Sequence, residues 1–134
     1  VLHPLYDPTG VTAEVRAAAL AIGAEPFLAA LGPNRLGLWA LVGKFANAWE
    51  AGEQAVMRDV GWRYAHAAAM RIALLERTPY ESGRTLWAEA GRRGYQMRAL
   101  VENLTDQSVA EQAACMRAVW DAFQLEPDPW ETIQ

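Results

Sequence analysis

Leu38, Val42, Phe45 and Trp49 recur at intervals of four, three and four residues, which sets them on one stripe of a helix beginning after Pro33. Asn34 is the candidate cap of that helix. Upstream, an extended arm at residues 1–11 leads into a helix starting near Thr12, running through Val15, Ala18, Ala19 and Ile22 and stopping at Gly23. Pro26 to Leu31 makes at most a short helix, closed by Gly32.

The same rhythm continues from Glu53 to Arg77 through Val56, Val60, Ala67 and Leu74, with Tyr64 and Leu75 widening the apolar face. Gly52 lies between the two patterns. Glycine costs a helix about 1 kcal/mol without forbidding it, so a break there and one long bent helix both fit the sequence. Thr78, Pro79 and Glu81 then have the spacing of a helix start, and Leu86, Ala90, Met97, Val101 and Leu104 carry one stripe across Gly91 and Gly94. Ser108 and Glu111 form a second capping box. It opens a helix with a narrow aromatic seam of Val109, Ala113, Met116, Trp120 and Phe123, which Pro127 and Pro129 end, leaving residues 126–134 as a tail. No alternating β-branched run competes with these helices. The pattern predicts an all-α single domain, a helical bundle of five or six helices.

Composition supports this reading and narrows the setting. The chain of 134 residues is 52% hydrophobic and 21% charged, and much of the apolar content is alanine, a strong helix former. Cys115 has no second cysteine with which to pair, which points to a reducing, cytoplasmic setting. The most apolar run, Leu36 to Gly43, is too short to span a bilayer. A net charge of −4 conceals an asymmetry: residues 58–98 carry eight arginines against four acids, and residues 99–134 one arginine against seven. The simplest expectation is mutual neutralisation within the fold or across a subunit contact, and the alternative is a basic patch for an acidic partner.

Candidate chemistry changes the picture less. The only histidines and cysteine are His3, His66 and Cys115, and neither a zinc-type spacing nor a Glu-x-x-His pair occurs, so no metal and no cofactor is expected. Ser82 and Ser108 both sit in helix starts, which leaves no nucleophilic serine and no catalytic residue to assign.

The dense stretch from Gly61 to Arg71 resolves into superposed helix faces. Asp59 and Arg63 pair one turn apart, His66 shares their solvated side, and Trp62 lies one turn from Arg58. Arg71 falls inside the apolar sector, where its guanidinium must either reach the edge or meet a carboxylate such as Glu102, Glu111 or Asp121. Tyr64, His66 and Arg71 are the candidate lining of an inter-helix pocket.

Six tryptophans exceed what one small core needs. Trp39, Trp49 and Trp120 are expected inside, and Trp62, Trp87 and Trp130 at a surface or subunit contact, with the Trp120 seam buried against a partner. Arg84, Arg92, Arg93 and Arg98, the last three around Tyr95, are the candidate contacts for an anion or nucleic acid. Together these features favour a non-catalytic helical interaction protein, a homo-oligomer or a subunit of a larger assembly. The alternatives are a nucleic-acid-binding or regulatory module and an enzyme or small-ligand binder.

Overall fold

The structure is a computed structural model that describes residues 10, 13–14, 17–18, 21–77, 86–88 and 108–132. Among them the regular structure is entirely helical: α1 (Ala24–Ala51), α2 (Gln54–Glu76), α3 (Val109–Ala122), a 3-10 turn (Pro129–Thr132) and helical residues at 13–14, 17–18 and 86–88. No described helix is long and apolar enough to cross a membrane.

Gly52 is a break. It adopts the left-handed conformation at φ 71°, where an L side chain is strained, and so ends α1. Its N–H donates to Trp49 at 3.0 Å while the Glu53 N–H reaches back to Ala48 at 2.9 Å, the paired bonds that satisfy the last carbonyls of a helix. The chain then reverses. Asn34 meets Ala67 and Leu31 meets Arg71, pairs nearly equidistant from Gly52, so α1 and α2 form an antiparallel hairpin.

Helix α1 is longer than its sequence punctuation predicts. Gly32 and Pro33 do not end it, and Asn34 is not a cap, because α1 passes through all three without interruption. A proline inside a helix removes one backbone hydrogen bond and crowds the preceding turn, at a cost of about 3 kcal/mol. Contacts with α2 hold both sides of this position: Asn34 Nδ2 donates to the Ala67 carbonyl at 2.9 Å, and Arg71 Nη1 donates to the Leu31 carbonyl at 3.2 Å.

The core is formed by Leu38, Val42, Phe45 and Ala48 of α1, Met57, Val60, Tyr64, Ala65, Ala68, Ala69 and Ile72 of α2, and Met116, Val119 and Trp120 of α3. Leu86, Leu125 and Trp130 join it from outside these helices. On α2 the buried face is rotated from the expected one: Val56 and Leu75 are exposed, and the alanines with Gly61 are inside. Small side chains let neighbouring backbones approach, and that closeness outweighs the larger hydrophobicity of Val56 and Leu75.

Helix α3 begins as expected. Ser108 Oγ accepts from the Glu111 N–H at 3.3 Å, and the Glu111 carboxylate accepts from the Ser108 N–H at 2.8 Å and hydroxyl at 2.7 Å. Its seam is also as expected, with Met116 and Trp120 buried and Val109, Ala113 and Phe123 packed on the core. The segment after α3, expected as a tail, is packed instead. Leu125 and Trp130 are buried, the Glu126–Pro127 bond is cis, and the 3-10 turn packs on α1. Arg35 Nη1 donates to the Glu126 carbonyl at 2.6 Å and fastens this segment.

Candidate functional site

The residues expected to line a pocket do not come together. Tyr64 is fully buried and directed to α3, where its hydroxyl donates to the Met116 carbonyl at 2.9 Å. His66 is exposed and lies edge-on to Trp87, with ring centroids 6.2 Å apart. Arg71 points the other way, to the Leu31 carbonyl and to Asn34 Oδ1 at 3.3 Å, with its guanidinium 5.7 Å above the Phe123 ring. Among the described residues these three side chains therefore point in three directions from one helix.

The expected tryptophans divide as well. Trp120 is buried within the chain's own core, donating Nε1–H to the Leu125 carbonyl at 3.0 Å and meeting the edge of Trp39 at 6.1 Å, so its seam is not left for a partner. Trp130 is buried too. Trp62 is exposed and packs on the half-buried Trp87 at 5.7 Å, which makes Trp62, His66 and Trp87 one aromatic cluster between α2 and residues 86–88. The Asp59–Arg63 pair is present at 2.8 Å on the solvated side. Arg84, Arg92, Arg93 and Arg98 lie outside the described residues, as do the helix start at 78–81 and the stripe from Ala90 to Leu104.

A cleft opens where the sequence indicated none. It measures about 500 Å³ and lies between α1, α3 and the 3-10 turn. Phe45, Ala46, Trp49 and Glu50 form one wall, Ala113, Ala114 and Arg117 the other, and Trp130 completes it. Phe45 and Trp49 meet edge to face at 6.0 Å. Trp49 belongs to the stripe that is buried at Leu38, Val42 and Phe45, but the stripe runs out into the cleft, which leaves this indole 45% exposed and not in the interior as expected. A tryptophan at the uncovered end of a core stripe is the one local signal that could have found the site.

Among the described residues no group of three or more His, Cys, Asp or Glu side chains is placed to hold a metal ion. No known protein family matches the chain, nor does any curated protein or solved structure.

Proposed function

We propose that the chain is a non-catalytic helical interaction protein, a bundle of five or six helices that associates with a second copy of itself through the outer face of α1. The observation that carries this reading is an inverted polarity. Every exposed residue of α1 from Leu28 to Gly43 is apolar or glycine: Leu28, Ala29, Gly32, Pro33, Leu36, Gly37, Ala40 and Gly43. The polar residues of the same stretch, Asn34 and Arg35, are half-buried and bonded inward.

A solvated helix face ordinarily has the opposite arrangement. Leu36 is 62% exposed and Leu28 54%, on a charge-free strip about 22 Å long at 1.5 Å per residue. Among the described residues a Cβ added at Gly32, Gly37 or Gly43 would meet nothing within 4 Å, so their packing does not require these glycines. Each costs α1 about 1 kcal/mol, and that cost has a physical return if another helix backbone approaches there. A symmetric dimer places the same strip on both sides of the contact and buries the leucines of each copy against the glycines of the other.

The test is the solution mass. Light scattering at micromolar concentration is expected to give a multiple of 14.8 kDa, and Leu36→Glu, which places a charge in the middle of the strip, is expected to return the monomer. A wild-type mass of 14.8 kDa throughout that range removes the reading.

A further inference from the structure

We infer that the cleft between α1 and α3 is a binding site for a small amphiphilic carboxylate, with an aromatic or branched apolar body and a single anionic head. This rests on different residues from the assembly proposed above and stands or falls separately. The first observation is an unanswered donor. Trp130 is nine-tenths buried and lines the cleft, yet its indole Nε1–H has no hydrogen-bond acceptor. Asp128 Oδ1 accepts the Trp130 backbone N–H at 2.8 Å and fixes the start of the 3-10 turn that carries this indole. Buried donors are nearly always satisfied, and one that is not, beside a cleft, indicates an acceptor supplied from outside.

The second observation is charge. Arg117 and Glu50 face the cleft from opposite helices, and among the described residues neither forms an ion pair. Arg117 and Trp130 Nε1 are both donors without acceptor capacity, so one carboxylate satisfies both needs with charge-assisted hydrogen bonds. Glu50 is the sole side-chain acceptor in the lining, and its negative charge disfavours a second anionic group on the ligand. Phe45, Trp49 and three alanines offer the apolar body its surface, and the exposed Trp49 indole gains burial when the cleft fills. The volume lies in the range of small-molecule sites, about 300–1,000 Å³.

The experiment tracks the six indole N–H resonances of the full chain during titration with 3-phenylpropionate, the Trp130 signal being assigned by its loss in Trp130→Phe. A saturable shift of that signal with a Kd below about 1 mM is expected. Arg117→Met, a change at an exposed side chain, is expected to weaken binding at least about tenfold, and so is replacing the probe by its neutral amide or by the dianion benzylmalonate. The inference is overturned if the Trp130 signal does not move by about 10 mM probe, if the shifts centre on other tryptophans, or if acid, amide and dianion bind alike.

Discussion

The Tyr64 hydroxyl donates to the Met116 carbonyl at 2.9 Å across a fully buried contact, which ties the middle of α2 to the middle of α3. Burial raises the pKa of this phenol above its ordinary value, and the negative charges of Asp121 and Asp128 add to the effect. Tyr64→Phe keeps the ring and removes only the hydroxyl. It is expected to cost about 1 kcal/mol in urea unfolding with an unchanged m-value. Because the folded pKa lies above the unfolded one, Tyr64 contributes stability that is intact below about pH 10 and declines as pH rises beyond it. The Phe variant should lack that part of the alkaline decline.

Glu111 gives the opposite dependence. The Ser108 hydroxyl, and then the Ser108 backbone N–H, hydrogen-bond the ionised carboxylate and hold its pKa below the usual range. Support for α3 is therefore complete above the unfolded carboxylate pKa and disappears as pH falls through the folded one. In urea titrations, wild type should exceed Glu111→Gln in stability near about pH 7, and the gap should narrow as pH falls below the ordinary carboxylate range. A gap that persists in acid would assign the difference to something other than the charge.

The features legible in the sequence are local ones. The Ser108–Glu111 box, the Asp59–Arg63 pair and the α3 seam each lie within one or a few helical turns, and each forms as its spacing requires. The α2 face misleads because its apolar pattern is dominated by Val56 and Leu74, whereas the buried side is written in alanine, which carries little hydrophobic contrast. Arg71 is half-buried, as its register inside the apolar sector predicts, but its described partners are 40 and 37 residues away, and Glu111, one of its expected mates, is bonded to Ser108. The cleft is hidden for the same reason, since residues 45–50, 113–117 and 130 have no periodic relation to one another. The inverted face of α1 is hidden by Gly32 and Pro33, which read as punctuation and divide one helix into two.

The two left-handed caps allow a test with opposite signs in one molecule. Gly52 at φ 71° ends α1, and Arg77 at φ 51° ends α2, its N–H reaching back to Ala73 and Leu74. Both positions need the same backbone conformation, but only one has the residue that adopts it without strain. Among the described residues a Cβ at Gly52 would touch nothing within 4 Å, so Gly52→Ala isolates the backbone term with no steric collision there. It is expected to lower stability by about 1–2 kcal/mol, and Gly52→Asn by less, because asparagine tolerates this region better. Arg77→Gly is expected to raise stability by up to about 1 kcal/mol, the relief of strain being partly offset by the greater freedom glycine gives the unfolded chain. Urea midpoints of the three variants measured together decide the matter. If Gly52→Ala is neutral, the hairpin does not depend on the left-handed turn, and the paired bonds from Gly52 and Glu53 to Trp49 and Ala48 are not what separates α1 from α2.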